Sequence, residues 1–203
     1  FHRLSIIGVN ESGNQPLKIQ GDDSLYLICN GEIYNYQDLA NKYNFTLTSG
    51  SDCEIILHMF KEFGIDKAVS ELDGVFMFVL YDANSDTVYA SRDPFGVRPG
   101  FIGFDDEDVY IASEMKPMAK YCNEIIPFKP GTYWNSKDKV FKKYYDLKFN
   151  NYNDINIVCE NVNILLKNAV KKRLMSERKI GCLLSGGLDS SLIAALVARY
   201  LGE

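Results

Sequence analysis

Over roughly its first 145 positions the chain places apolar residues in short bursts separated by turn-forming residues, a pattern that predicts many short strands with a few helices between them. The clearest strands are residues 25–29, 74–81, 87–90, 100–104 and 109–112. Residues 53–63 change period: Ile56, Met59, Phe60 and Phe63 form one stripe of a helix that Ser51 or Asp52 can cap. After the Asn-rich, aromatic stretch 145–156, which reads as a linker, Val158, Val162, Leu165, Leu166, Ala169, Val170 and Leu174 mark a long helix. Residues 180–184 (Ile-Gly-Cys-Leu-Leu) are apolar enough for a buried strand. Leu192, Ile193, Leu196, Val197, Tyr200 and Leu201 then return to helical spacing. Sheet layers flanked by helices, followed by the start of a strand-loop-helix unit, are the expected architecture.

Ser185-Gly186-Gly187-Leu188-Asp189-Ser190-Ser191 lies at that strand-to-helix junction. Paired glycines let the backbone approach an anion, and the serine hydroxyls and the first free N–H groups of the helix can donate to phosphate oxygens. No Gly-Lys-Ser/Thr follows, which excludes the phosphate loop of kinases and GTPases. Asp189 suits a site that also holds Mg²⁺ with a nucleotide. A bare Gly-Gly with serines only caps a helix; the full run is more specific and resembles the loop of the PP-loop ATP pyrophosphatases.

The 203 residues, 46% hydrophobic and 13% aromatic, are enough for a core in one or two domains. A net charge of −5 argues against a nucleic-acid partner, and Lys171, Lys172, Arg173, Arg178 and Lys179 read as a solvated helix face. The cysteines number five, lack metal-ligand spacing and suit a reducing cytosol. No apolar run approaches membrane-spanning length, and no signal peptide is apparent. The chain opens without Met in what reads as mid-strand and stops one helix after the glycine loop. It is therefore expected to be a piece of a longer protein.

Polar groups gather at Phe1-His2-Arg3-Leu4, at Asn30-Gly31-Glu32-Ile33-Tyr34-Asn35, at Gly50-Ser51-Asp52-Cys53-Glu54 and at Arg92-Asp93-Pro94-Phe95-Gly96-Val97-Arg98-Pro99. Singly, each has a plain structural reading: Asn-Gly as a hairpin or helix-entry turn, Ser-Asp as an N-cap, Arg92 with Asp93 as an ion pair. In this order, ahead of the glycine loop, they resemble the family of glutamine-hydrolysing asparagine synthetases along essentially the whole chain. The resemblance implies an α/β protein: an Ntn-hydrolase glutamine amidotransferase domain of four αββα layers over residues 1–150, then over 151–203 the start of an α/β PP-loop ATP pyrophosphatase domain.

The resemblance also implies roles. Arg3 matches the family's arginine for the glutamine α-carboxylate, Glu32 and Asp52 its acidic contacts to glutamine, and Asn30 with the Gly31 N–H its oxyanion hole. Leu184, Ser185, Gly186, Gly187, Leu188, Asp189, Ser190 and Ser191 match its ATP site. There aspartate is adenylylated, and ammonia released from glutamine converts β-aspartyl-AMP to asparagine. ATP with Mg²⁺, glutamine and aspartate are the implied ligands, the cytoplasm the implied location, and a homodimer is compatible. The family's nucleophile is an N-terminal cysteine, and none of Cys29, Cys53, Cys122, Cys159 or Cys182 stands at the terminus. The piece is therefore expected to be inactive. Gly100, where the family usually has a large apolar residue, is a change of packing rather than chemistry. Glu54 and His58, four apart on a helix, do not make a metal site by themselves, and Asp105-Asp106-Glu107-Asp108 reads as a solvated hairpin turn. A β-lactam-synthetase-like enzyme and a non-catalytic amidotransferase-like module are the alternatives, separated by the residue after the initiator Met of the intact chain.

Overall fold

A computed structural model describes residues 4–106, 108–149 and 151–202. The chain divides into two units, Phe1–Asp146 and Leu147–Glu203. In the first, strands β1 (Leu25–Ile33), β2 (Gly74–Asp82), β3 (Thr87–Arg92), β4 (Phe101–Phe104), β5 (Val109–Ala112), β6 (Glu124–Pro127), β7 (Thr132–Asn135) and β8 (Phe141–Lys143) form two antiparallel sheets. One has five strands in the order β1-β2-β3-β7-β8, the other three in the order β5-β4-β6.

The period-two alternation of β2 explains how the layers stack. Phe76, Phe78 and Leu80 face a core shared with α1 (Tyr36–Tyr43) and α2 (Glu54–Glu71), where Leu39, Ile55, Ile56, Leu57 and Met59 are buried. Met77 and Val79 face the opposite way, into a second core with Ala90, Ile102, Phe128 and Trp134 that glues sheet to sheet. Each fully buried phenylalanine stabilises this arrangement by about 2 kcal/mol. The outer face of the smaller sheet is covered at Gly103 by Met118 and Cys122, from tight helical turns at 115–122.

Several local expectations change. Residues 30–33 are not a turn but the end of β1, paired with β2 from Asn30 opposite Met77 to Ile33 opposite Gly74. Helix α2 breaks at Gly64 (φ 77°), one residue beyond the expected end, and resumes to Glu71. Neither Ser51 nor Asp52 caps it, because Asp52 is engaged with β1. Arg92 and Asp93 are not an ion pair: Arg92 donates to the carbonyls of Arg98, Phe128 and Gly96, while Asp93 accepts the N–H groups of Phe95, Val97 and Arg98. At Gly100, a Cβ would lie 2.7 Å from Met77 Sδ, so the methionine occupies the volume that a larger residue would need.

In the second unit, α3 (Ile155–Lys172) starts at Asp154, whose side chain accepts from the Asn156 N–H at 2.8 Å, and α4 (Leu188–Leu201) ends at Gly202. Val170, Leu196 and Val197 join them, with Leu166, Leu174 and Ile180 alongside. The strand expected over 180–184 is absent: the segment is unpaired, with Leu183 97% and Leu184 65% exposed. A buried parallel strand needs neighbours to satisfy its N–H and C=O groups, and the described residues of this unit contain no other strand.

Candidate functional site

The end of β1 opens onto a cavity of about 400 Å³, lined by Asn30, Gly31 and Glu32, by Asp52 just ahead of α2, by Arg98, and by residues 4–7. Alternation of burial along β1 stops here, residues 30–32 all being half-buried. Gly31 is required by close approach: a Cβ would sit 2.2 Å from the Val75 carbonyl oxygen and 2.6 Å from Phe76 Cα. Asn30 Nδ2 donates to Ser113 Oγ at 3.3 Å. Gln15 grips the strand just before, its Nε2 donating to the Cys29 carbonyl at 3.0 Å and its Oε1 accepting the Cys29 N–H at 2.7 Å.

The charged groups of the cavity are arranged unequally. Glu32 Oε1 accepts from Arg98 Nη2 at 2.9 Å, and the turn carrying Arg98 is clamped by Arg92 and the buried Asp93. Asp52, 4% exposed, has no cationic partner among the described groups; its Oδ2 accepts the Ile33 N–H at 2.7 Å. Burial pushes its carboxyl up to about 6, the nearby Glu32 adds to this, and the Ile33 N–H offsets only part. A carboxylate buried this way, short of solvent, is stabilised by a cationic partner. Cys53 also lines the cavity, with Sγ 3.7 Å from the Gly31 carbonyl oxygen.

Of the residues expected to bind ligand here, Asn30, Gly31, Glu32 and Asp52 share one cavity. Arg3 lies outside the described residues. Arg98, Gln15 and Ser113 were not expected. Arg98 belongs to the Arg92–Pro99 run that carries the family resemblance, but with no ligand role assigned to it, and Gln15 and Ser113 sit in no periodic pattern.

The other expected constellation is formed by residues 184–191 of the second unit. Gly186 has φ 84°, a conformation that side chains disfavour, and Gly187 precedes the first turn of α4. Ser185 and Ser190 bring their hydroxyls within 2.9 Å of each other, and Ser190 donates to the Gly187 carbonyl at 3.1 Å. A Cβ on Gly187 would meet nothing nearer than Ser185 Oγ at 3.6 Å, so the cradle over the helix N-terminus is open and suits a phosphate. Leu184, Leu188 and Asp189 flank it. No group of three or more His, Cys, Asp or Glu able to hold a metal occurs among the described residues. The carboxylate nearest the cradle in sequence is Asp189.

The family model of the glutamine amidotransferase domain matches residues 1–173, and that of asparagine synthase matches residues 161–203. The chain is 43% identical over 205 residues to a probable asparagine synthetase (glutamine-hydrolyzing) of Schizosaccharomyces pombe, covering 97% of this chain and 36% of that protein. It is 41% identical over 203 residues to asparagine synthetase (glutamine-hydrolyzing) 1 of Arabidopsis thaliana, covering 98% and 34%. It is 36% identical over 231 residues to the asparagine synthetase (glutamine-hydrolyzing) of Gallus gallus, covering 100% and 41%. The chain thus spans between about a third and two fifths of the length of these relatives. Among solved structures, the glutamine phosphoribosylpyrophosphate amidotransferase of B. subtilis superposes with TM-score 0.55 at 20% identity, over 91% of this chain and 47% of that one. An allosteric regulatory enzyme of purine biosynthesis superposes with TM-score 0.57 at 23% identity, over 66% and 32%. These likenesses show the amidotransferase fold.

Proposed function

Since the chain belongs to the glutamine amidotransferase domain family, we propose that its cavity binds glutamine and that the longer protein it is part of makes asparagine from aspartate, glutamine and ATP. The observation that carries this is that the end of β1 (Asn30, Gly31, Glu32) and Asp52, in the loop ahead of α2, line one cavity. In this reading residues 1–150 are the glutaminase domain and 151–203 the first part of the synthetase domain. Asp52, short of a cation, receives the glutamine α-ammonium with Glu32 beside it; Arg3 receives the α-carboxylate. The Asn30 amide and the Gly31 N–H receive the oxyanion formed when the side-chain amide is attacked. The attacking thiolate is assigned by resemblance to an N-terminal cysteine, so for these 203 residues the proposal is confined to binding.

At the second centre the open cradle of Ser185, Gly186, Gly187 and Ser190 takes ATP phosphates, with Leu184, Leu188, Asp189 and Ser191 around it. The aspartate β-carboxylate oxygen bonds to the α-phosphorus and pyrophosphate leaves. Ammonia nitrogen then bonds to the acyl carbon, the bond to the AMP oxygen breaks, and a proton is released. Mg²⁺ fits best as a passenger on the ATP phosphates near Asp189, since the described residues form no cage for it. No described helix is long and apolar enough to cross a membrane. A cytoplasmic location and the absence of a nucleic-acid partner belong to the same reading.

Product analysis tests it. Supplied with aspartate, glutamine and ATP, a protein of the relatives' length carrying this chain should yield asparagine, glutamate, AMP and pyrophosphate in equal amounts. Release of ADP and phosphate would refute the proposal. Calorimetric titration of the 203-residue chain should show L-glutamine binding that Asp52→Asn weakens.

A further inference from the structure

The Asp52 carboxyl, which lines the cavity, lies in the loop ahead of α2, next to Glu54, which does not line it. We propose that Glu54 and Ser49 form a hydrogen-bond relay that positions Asp52, which makes them positioning residues for recognition in the cavity. The inference rests on the reading of that cavity as a glutamine site.

Glu54 is the first residue of α2 and is 0% exposed, next to Ile55, Ile56 and Leu57 in the main core. An acid in such a place is costly unless hydrogen bonds compensate for lost water. Here they do. Glu54 accepts from the Thr48 N–H at 2.9 and 3.0 Å, from Thr48 Oγ1 at 3.1 Å, from the Ser49 N–H at 2.7 Å and from Ser49 Oγ at 2.6 Å. His58 Nε2 lies 3.4 Å away on the next turn. Burial alone would raise the Glu54 carboxyl; His58, Ser49 and Thr48 together outweigh it and hold it at about 2. The group is therefore a fixed anion, and every polar bond given above except that of His58 is directed at the loop ahead of its own helix.

The relay continues through Ser49. Its hydroxyl donates to Glu54 and accepts the Ser51 N–H at 3.1 Å, one peptide before Asp52. Ser12 Oγ donates to the Ser49 carbonyl at 2.8 Å from the other side. Asp52 is thus held at two points: by the Ile33 N–H on β1, and by the loop that Glu54 gathers. An apolar residue would satisfy the core at position 54 equally well, whereas only an acceptor with two oxygens can collect both Thr48 and Ser49. Around the Asp52 carboxyl the charged groups among the described residues are Glu32 on β1 and its partner Arg98.

The test uses the full chain, with carbon-13 carboxyl titration of Asp52 and calorimetric titration with L-glutamine. Ser49→Ala removes the acceptor for the Ser51 N–H, frees the loop and lets water reach Asp52. Its titration midpoint should fall by about one unit or more toward that of a solvated aspartate, and the L-glutamine Kd should rise about tenfold. Ser49→Thr, which keeps the hydroxyl, should hold the midpoint within about half a unit of the wild type and the Kd within about threefold. If Ser49→Ala does not fold, Glu54→Gln is measured in the same way and should move both readouts in the same direction. A variant that folds, titrates at Asp52 like the wild type and binds glutamine equally well overturns the relay. If the wild-type chain itself does not bind glutamine, the reading of the cavity fails. The relay is then decided by the Asp52 titration alone.

Discussion

Replacing Asp52 by asparagine should stabilise the fold while weakening the cavity's hold on a cationic ligand. The carboxyl is 4% exposed and its midpoint is raised from 3.8 to about 6. That gap of about two units corresponds to about 3 kcal/mol, at about 1.4 kcal/mol per unit. In the unfolded chain Asp52 loses its proton near the ordinary value; in the folded chain it keeps it until about 6. Between those limits the unfolded state binds fewer protons, so the contribution of Asp52 to stability falls as pH rises and is at its worst above 6. Asparagine has no such charge, while its side-chain oxygen still accepts the Ile33 N–H. The stability difference between Asp52→Asn and wild type should therefore shift in favour of the variant by about 2.4 kcal/mol on going from pH 4, where the unfolded carboxyl is already half ionised, to pH 7, other groups cancelling in the comparison. Trp134 is the chain's one tryptophan, 1% exposed in the core between the two sheets, so its fluorescence during urea unfolding reports the first unit. With a denaturant slope of about 2 kcal/mol/M the midpoint difference should move by about 1.2 M. A midpoint difference that is the same at pH 4 and pH 7, or that moves against the variant, would refute the argument.

Gly31→Ala should cost about 3 kcal/mol or more by the same urea assay, because its Cβ would lie 2.2 Å from the Val75 carbonyl oxygen and β1 and β2 would have to separate; a loss below about 1 kcal/mol would show that the strands can yield. Gly100→Leu should destabilise alone by collision with Met77, and Met77→Ala should recover part of the loss, a coupling of about 1–2 kcal/mol in a double-mutant cycle; additive effects would exclude the exchange of volume. Arg98→Met leaves Glu32 without its 2.9 Å partner and should cost about 2 kcal/mol in urea unfolding, most of it returned by a second change, Glu32→Gln. A double variant no more stable than the single one would place the role of Arg98 in its turn rather than in the ion pair.

Elements whose order arises from neighbours in the chain were legible in the sequence. The alternation of β2, the stripe of α2 up to Gly64 and the spacing of α4 are local periods, and the Ser185–Ser191 run carries its glycines and hydroxyls within a single turn. Asn30, Gly31, Glu32 and Asp52 could be singled out by type and order, but nothing local says that they share a cavity. That depends on β1 continuing through Ile33, which in turn depends on β2 lying opposite to supply its hydrogen bonds; by local chemistry the same residues read as a turn. Strands β6, β7 and β8 did not stand out by local pattern; each is completed by a neighbour from elsewhere in the chain, β6 by β4, β7 by β3 and β8 by β7. Residues 180–184 illustrate the converse, an apolar run that is no strand, since no strand of the second unit lies beside it among the described residues. The partner of Glu32, the raised carboxyl of Asp52 and the inward-turned anion of Glu54 were likewise invisible. Each is a consequence of desolvation and of donors brought from distant segments, quantities that a linear pattern does not contain and that packing alone decides.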